Sequence, residues 1–446
     1  MHVVVVSQNI NRRDVLKGAG AAGIAGLAGC VGGGGGSSEY PAIGNYPVEG
    51  DEVTLGFNVP QSGAYASEGQ DELNAYNLAV KHLNNGGGWV DMWDDLSSGG
   101  ILDKTVTSVE GDTATDPATA EESATQMIRN DNAIMVTGGV SSSVAISVQK
   151  LCQQEKVQFM SCLTHSNATQ GADCVRYGQR EMMNAFMTAK ALSPILADEF
   201  GSDNNFYIQY ADYTWGSSNN QSLTRFLKEE GWSKIQSVPT PLGTSDFSSF
   251  MQDVPREETD VLILIHFGAD AANSIPAAFD AGLDEDMEIV VPLYDKIAAQ
   301  SARDNIGGVF GTVDWNWQRD EEFSNAFTQA YDSEYDAKPS YAARLAYSAV
   351  MRYAAAVERA GTFYPPEAIR ELEDINYANT GINEAVMRKC DHQSMRDVFV
   401  VQGRPPEEQT EDKILEIVGS TDKDTAGYAC DAGPAANCSL GEYGDE

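Results

Sequence analysis

A serine-rich turn after an apolar run is the part of this sequence best suited to hold a small anion. Residues 133–137 (AIMVT) predict a buried strand, and the glycine pair that follows leads into Ser141, Ser142 and a helix over 143–155. The first turn of a helix leaves backbone N–H groups without intrahelical partners, and these groups favour a carboxylate or a phosphate. A plain serine N-cap explains the same residues, so the turn alone leaves a ligand role open.

The elements that must position this turn form an alternating pattern. Strands are predicted over 53–57, 106–110, 133–137, 206–210, 234–238, 261–267 and 287–291, and helices over 71–83, 117–129, 143–155, 180–200, 215–230 and 340–360. Such alternation indicates an α/β fold in which mostly parallel sheets carry helices on both faces. A chain of this length exceeds one hydrophobic core, so two domains are expected. Tyr65 and Tyr294 follow predicted strands, where α/β sheets bind ligands.

The N-terminus carries an export pattern. Residues 11–17 (NRRDVLK) are typical of a twin-arginine signal, and the small apolar stretch behind them is too short to span a bilayer permanently. Residues 27–30 (LAGC) look like a lipobox, in which Cys30 is lipidated. We therefore expect a signal over 1–29, a flexible tether over 30–50, and a body lipid-anchored to the extracellular face of the cytoplasmic membrane.

The charge balance is strongly acidic. The chain has 66 acidic and 29 basic residues, a formal net charge of −37. Concentrated salt screens such self-repulsion, so the composition favours a halophilic source, with an acidic secreted protein as the alternative. Nucleic acid is disfavoured as a partner, because the sequence has no basic patch to neutralise phosphates.

Six cysteines follow Cys30 and can pair outside the cell. A disulfide between Cys430 and Cys438 would close a small loop and is the first expectation, and Cys162 with Cys174 is the second. The sequence has no C-x-x-C pair, and its histidines are scattered. We therefore predict neither a metal site nor a cofactor.

Several segments, all in the right order, resemble the leucine/isoleucine/valine-binding protein family, the type I periplasmic binding proteins of ABC importers. They are 60–69 (PQSGAYASEG), 112–117 (DTATDP), 138–143 (GGVSSS), 159–165 (FMSCLTH) and 212–216 (DYTWG). The resemblance covers roughly residues 51–400 and implies two lobes with a hinged cleft between them. The expected N-terminal lobe is 51–175 plus 310–395, and the expected C-terminal lobe is 176–309 plus 396–440. Chain crossings are expected near residues 175, 310 and 395.

In that family an amino acid lies in the cleft, and the resemblance implies which residues contact it. The implied ligand-binding residues are Tyr65, Ser67, Glu68, Ser141, Ser142, Leu163, Thr164, His165, Tyr213, Trp215, Asp270, Tyr294 and Asp295. The serine-rich turn and the loop at 163–165 would hold the carboxylate, Trp215 would pack over the ligand, and Asp270 or Asp295 would meet the ammonium. Glu68 stands where some members have an aromatic wall, which puts an aliphatic side-chain preference in doubt.

For three of these residues, a purely structural role is an alternative to ligand binding. Trp215 could be a core residue, Asp270 a helix N-cap, and His165 a hydrogen-bonded loop histidine. The sequence alone does not decide among these roles.

The resemblance implies an extracellular solute-binding protein of an ABC importer. It would capture an amino acid, with the branched-chain type favoured, by closure of two lobes and deliver it to a membrane permease. A monomer is expected. The alternatives are a binding subunit for short amides or urea, a ligand-sensing subunit of a membrane receptor and an exported hydrolase. The sequence has no G-x-S-x-G, G-x-x-x-x-G-K-[ST] or H-E-x-x-H motif, which disfavours the hydrolase.

Overall fold

The computed structural model describes residues 40–377, 382–383 and 385–445. The predicted export signal, the lipidation at Cys30 and the first part of the predicted tether lie outside the described residues. In the described part of the chain, no helix has both the length and the apolar character needed to cross a bilayer.

A five-stranded parallel sheet forms the centre of one half of the fold. Its strands are β1 Glu52–Val59, β2 Thr105–Asp112, β3 Met135–Gly139, β4 Gln158–Cys162 and β5 Gly178–Arg180, in the order β2-β1-β3-β4-β5. The apolar side chains of Leu55, Phe57 and Val59 are fully buried. This strand pattern is the one expected for a sheet covered by helices on both faces. We call this sheet and its helices the small-sheet half.

A seven-stranded sheet forms the centre of the other half. Its strands are β6 Asn205–Ala211, β7 Ser233–Thr240, β8 Val261–Ile265, β9 Glu288–Leu293, β10 Phe310–Val313, β13 Val398–Gly403 and β14 Leu415–Thr421. The order is β14-β13-β10-β9-β8-β6-β7, and β13 runs antiparallel to both of its neighbours. The strands β11 Ala385–Met387 and β12 Ser394–Arg396 form a separate antiparallel pair. We call the seven-stranded sheet and its helices the large-sheet half.

Twelve α-helices lie in the described residues. They are α1 Ala66–Asn85, α2 Pro117–Arg129, α3 Ser142–Glu155, α4 Ala185–Phe200, α5 Thr214–Glu229, α6 Ser248–Gln252, α7 Ala269–Asp280, α8 Lys296–Ser301, α9 Glu322–Tyr335, α10 Tyr341–Ala360, α11 Pro365–Arg370 and α12 Lys423–Ala426. The alternation of strands and helices confirms the predicted α/β class.

Capping residues set several helix starts. The Asp116 carboxylate accepts a hydrogen bond from Thr119 N–H, and Pro117 occupies the first turn, so α2 begins where the sequence predicts. Asn184 caps α4 in the same way. The prediction of a helix from residue 180 was therefore wrong at its start, because residues 178–180 pair with β4 as a strand.

Two predicted boundaries differ from the structure. Phe310–Val313, assigned by the sequence to the N-terminal lobe, pairs with β9 and β13 in the large-sheet half. The last residues return to the small-sheet half, where Asp445 accepts hydrogen bonds from Arg370 and the Tyr177 hydroxyl donates to the Tyr443 carbonyl. Strand pairing in the large-sheet half therefore ends at Thr421, before the predicted end of the C-terminal lobe at residue 440.

The second part of the predicted tether is packed rather than free. Tyr40 stacks on Tyr364 with ring centroids 4.5 Å apart. The Asn45 side-chain amide donates to the carbonyls of Ile128 and Ala133, both at 2.8 Å. Residues 40–50 therefore belong to the fold, contrary to the expectation of a flexible tether over 30–50.

Both predicted disulfide pairings were wrong. The structure joins Cys174 to Cys438 and Cys390 to Cys430, and Cys162 is a buried free thiol. The first disulfide fixes the returning C-terminal segment to the loop after β4. Closeness in the sequence did not identify these disulfide pairs, because the C-terminal segment folds back onto the small-sheet half.

Candidate functional site

The serine-rich turn begins α3, at the carboxyl end of β3. Gly138 has a φ of 123°, and a Cβ atom there would lie 2.2 Å from the Asn58 carbonyl oxygen, so the turn requires glycine. Ser141 occupies the N-cap position but makes no side-chain capping hydrogen bond. Ser142 Oγ accepts a hydrogen bond from Ser166 N–H at 3.1 Å. Both serines are buried, so their polar groups face the interior.

The loop after β4 is held mainly by the protein itself. Thr164 Oγ1 is hydrogen-bonded to the Ser161 hydroxyl, and the Thr164 carbonyl accepts from Arg180 Nη1 at 2.9 Å. His165 Nε2 lies 2.6 Å from Asp314 Oδ2. Leu163 has a φ of 54°, which turns the chain at the end of the strand. For His165, the structure supports the hydrogen-bonded loop histidine.

Although burial opposes ionisation of Asp314, His165 and Arg396 hold the pKa of this carboxyl below its usual value. Asp314 Oδ1 also accepts from Met183 N–H at 2.9 Å. Asp314 follows β10 directly, and Met183 precedes α4. This cluster therefore ties together the segments that connect the two halves.

The two halves touch through aromatic residues at the carboxyl ends of their strands. The Tyr65 hydroxyl donates to the Tyr213 hydroxyl at 2.8 Å, and Ala269 N–H donates to the Ala64 carbonyl at 3.2 Å. The Phe267 ring lies 5.7 Å from that of Tyr65 and 6.3 Å from that of Trp215, between centroids. Trp215 is thus buried within this contact. The structure has the two halves together rather than apart.

Two buried acids lie on opposite sides of this contact. Glu68 belongs to α1 of the small-sheet half, and Asp295 follows β9 of the large-sheet half. Asp295 Oδ1 caps α8 by accepting from Ala298 N–H at 2.7 Å. Both Glu68 oxygens and Asp295 Oδ2 have no hydrogen-bond partner among the described residues, and neither do the hydroxyls of Tyr294 and Tyr341.

The environment keeps these acids partly protonated near neutral pH. Burial, and next the negative charge of Asp295, raise the pKa of Glu68 to about 8. Burial likewise raises the pKa of Asp295 to about 7. An unpaired charge is expensive in such surroundings, so a bound cation would stabilise both carboxylates.

Asp270 is a third buried acid near the same contact. It lies in the first turn of α7, whose N-cap residue is Gly268, so the N-cap explanation of Asp270 does not hold. Its Oδ1 accepts from Gly243 N–H at 2.9 Å, whereas its Oδ2 has no partner within the described part of the chain. Burial raises the pKa of Asp270 to about 7.

The structure brings together only some of the residues expected at the site. Tyr65, Glu68, Tyr213, Trp215, Asp270 and Asp295 lie at the contact between the halves. Ser67 is exposed on the first turn of α1 and lies outside this group.

Sequence reasoning missed Glu72, Phe267 and Tyr341. Glu72 stands four residues after Glu68 on a face that also buries Leu73 and Tyr76, and this helical spacing was a readable signal. Tyr341 opens α10 behind the N-cap Ser340. Its approach to Glu68 and Asp295, whose charges raise its pKa in addition to burial, depends on tertiary packing.

No group of three or more residues able to hold a metal ion occurs in the described segments. The polar atoms at the contact are carboxylates, hydroxyls and backbone amides. Such a set is suited to reversible binding of a small polar molecule with charged ends.

Comparison with known proteins gives two family matches. Residues 9–29 match the TAT (twin-arginine translocation) pathway signal sequence, and residues 52–409 match the periplasmic binding protein family. Among curated proteins, Leu/Ile/Val-binding protein homolog 7 of Brucella abortus (strain 2308) is 24% identical over 237 residues, which is 52% of this chain and 56% of that protein.

A chemotactic signal transduction system substrate-binding protein, BasB of Halobacterium salinarum, is 26% identical over 222 residues, which is 48% of this chain and 50% of that protein. The chain spans about half the length of the curated relatives it matches.

Among solved structures, the amino acid ABC transporter substrate-binding protein of Pseudomonas fluorescens Pf-5 aligns with a TM-score of 0.77 at 19% identity. The alignment covers 88% of this chain and all of that one. This likeness is one of fold. The match over residues 52–409 extends over well more than half of the sequence, and the chain therefore belongs to the periplasmic binding protein family.

Proposed function

We propose that this chain is the solute-binding component of an ABC importer, which captures an amino acid between its two halves and delivers it to a membrane permease. The observation that carries the proposal is the set of buried, unpartnered polar groups where the halves meet. The backbone amides at the start of α3 would receive the ligand's carboxylate. Asp295 would receive its ammonium.

Binding by closure explains why these groups come from both halves. In an open form, the ligand-binding groups of each half would be exposed to water. Only the closed form would be complementary to the whole ligand. The Tyr65–Tyr213 hydrogen bond would stabilise the closed form alone. No covalent chemistry is needed, so the protein is proposed to bind and not to turn over its ligand.

The test is a thermal-shift and calorimetry screen of amino acids, short amides and urea with purified protein in concentrated salt. We expect an amino acid to raise the melting temperature at one-to-one stoichiometry, and small-angle scattering to show a smaller radius of gyration with ligand. If no compound stabilises the protein and its radius stays constant, this function is wrong.

A paired variant locates the site. Ser141→Ala combined with Asp295→Asn removes a hydroxyl from one half and a charge from the other, while asparagine retains the capacity to cap α8. We expect ligand-induced stabilisation to disappear. The control is Ser202→Ala with Asp203→Asn, because both residues are exposed. A response like that of the wild type in the first variant would contradict the proposed site.

The similarity to the chemotactic substrate-binding protein BasB favours a second candidate function, a ligand-sensing subunit of a membrane receptor. Both functions need the same closed, liganded form. Crosslinking in the native membrane separates them, because the ligand-bound protein would be joined to a permease in one case and to a receptor in the other.

The match to the twin-arginine signal supports export, and we propose that Cys30 then carries a lipid anchor. Cys30→Ala should release the folded protein into the medium, and Arg12→Lys with Arg13→Lys should retain it in the cytoplasm. Membrane-bound protein after the cysteine substitution would argue against lipidation.

A further inference from the structure

We propose that the ligand carries two cationic groups, as an amino acid with an ammonium or guanidinium side chain does, and that Glu68 and Asp295 bind them from opposite halves. This inference rests on the proposed function and narrows its ligand class. A branched-chain amino acid offers a single cation, so the inference departs from what the family resemblance favours.

The two carboxylates belong to different elements, one in each half of the fold. Glu68 is on the first turns of α1, and Asp295 stands at the carboxyl end of β9. Glu68 is 1% exposed and Asp295 is fully buried. The negative charge of Asp295 adds to burial in raising the pKa of Glu68. Neither position is a surface acid that solvent could satisfy.

Their oxygens lack partners inside the protein. Both carboxylate oxygens of Glu68 and one of Asp295 accept no hydrogen bond from any other described residue. Buried polar atoms in folded proteins are nearly always paired, so unpaired ones indicate a missing partner. The Tyr294 and Tyr341 hydroxyls are also unpaired in this part of the described chain and can accept hydrogen bonds from the same donors.

Among the described residues, acids surround Glu68, and one lysine acts on Asp295. After Asp295, the negative charges of Asp71 and Glu72 also raise the pKa of Glu68. Lys296 is the cation whose charge acts on Asp295, and it lowers the pKa of this carboxyl less than burial raises it. Its Nζ donates to the Lys338 carbonyl at 2.8 Å and lies 4.0 Å from Asp412 Oδ1, so it is directed elsewhere.

Charge balance then selects the ligand. An amino acid with a neutral side chain brings one cation and one anion, and the anion would use the uncharged amides of α3. One of the two buried carboxyls would then have to stay protonated, as its burial favours. A basic amino acid brings two cations for the two carboxylates, which attract each strongly because water is excluded.

The test compares L-lysine, L-ornithine and L-arginine with L-leucine and with 1,5-diaminopentane, which has the two cations but no carboxylate. We expect the basic amino acids to raise the melting temperature most and to bind at least tenfold more tightly than L-leucine. Glu68→Gln should lower affinity for L-lysine at least tenfold and leave L-leucine binding nearly unchanged. The exposed control Glu122→Gln should change neither.

Asp295→Asn is the second variant, because it keeps the α8 cap. It gives an independent measurement of L-lysine affinity if Glu68→Gln does not fold. Tighter binding of L-leucine than of L-lysine, or full L-lysine affinity in a folded variant, would overturn the inference while leaving the proposed function intact. Binding of the diamine without L-lysine would also overturn it. Failure of every compound would instead contradict the proposed function.

Discussion

The hydroxyl of Tyr65 donates a hydrogen bond to the hydroxyl of Tyr213 at 2.8 Å, and the two tyrosines belong to opposite halves of the fold. Tyr65 immediately precedes α1, and Tyr213 immediately precedes α5. The bond therefore exists only when the halves are together. Burial is the main reason that the pKa of Tyr65 lies well above its usual value, so Tyr65 stays protonated and can donate.

Tyr65→Phe should weaken ligand binding without disturbing the fold. The change removes one hydrogen bond from the closed form, worth about 1 kcal/mol, so affinity should fall by roughly fivefold. Calorimetric titration measures it. The matched control is Tyr335→Phe, which loses the hydrogen bond from α9 to the Asn74 carbonyl of α1. Equal losses of affinity in the two variants would contradict a role in closure.

Gly268→Ala should obstruct closure sterically. Gly268 has a φ of 56°, and a Cβ atom there would lie 2.6 Å from Tyr65 Cδ1, across the contact between the halves. We expect at least a tenfold loss of affinity by calorimetric titration. Gly282→Ala is the control, because Gly282 has a φ of 65° but no atom within 4 Å of its Cβ position. If both substitutions lower affinity alike, backbone strain and not the contact is responsible.

Without ligand, the free energy of unfolding should fall as pH rises from 6.5 to 8.5. Burial raises the pKa of Glu68 and of Glu72 to about 8, above the ordinary 4.5, so the folded state holds more protons than the unfolded state in this window. Burial lowers the pKa of His82 to about 4 and of His266 to about 3. These two histidines make the free energy of unfolding rise with pH, but mainly at lower pH than this window.

Urea unfolding at constant salt measures this dependence, and Glu72→Gln should make the decline shallower. Glu122→Gln, an exposed substitution of the same kind, should leave the slope unchanged. Stability that is constant or rises across the window in the wild type would show that these carboxyls ionise normally.

Loss of the disulfide between Cys174 and Cys438 should destabilise the fold by about 2–5 kcal/mol, because the bond joins residues 264 positions apart. Urea unfolding of Cys438→Ser measures the effect, with Cys390→Ser for comparison. Peptide mapping of the unreduced protein should recover Cys174 linked to Cys438. A peptide linking Cys430 to Cys438 would contradict the pairing in the structure.

Local signals predicted much of the fold. The Asp116–Pro117 pair marks the start of α2, and Ser340 caps α10 through the amides of Ala342 and Ala343, so both helices lie almost where the sequence predicts. The apolar run of Val261–Ile265 likewise predicted a buried strand. These features depend on residues that are neighbours along the chain.

Contacts between residues far apart in the sequence were harder to predict. The sequence could nominate His165 and Thr164, but not that Asp314 and Ser161 already bind their side chains. It could nominate Asp295 and note Glu68 as unusual, but not that the charge of Asp295 acts on Glu68. Both results depend on how separate elements pack, which strand and helix periodicity does not encode.

The ends of the described chain are fastened to one half only. Tyr40 stacks on Tyr364, and Asp445 pairs with Arg370 six residues further on. Rotation of the large-sheet half would therefore leave both termini stationary relative to each other. A pair of fluorophores at residues 40 and 445 should report constant energy transfer on ligand addition, whereas moving one of them to the exposed Ser202 should reveal the motion.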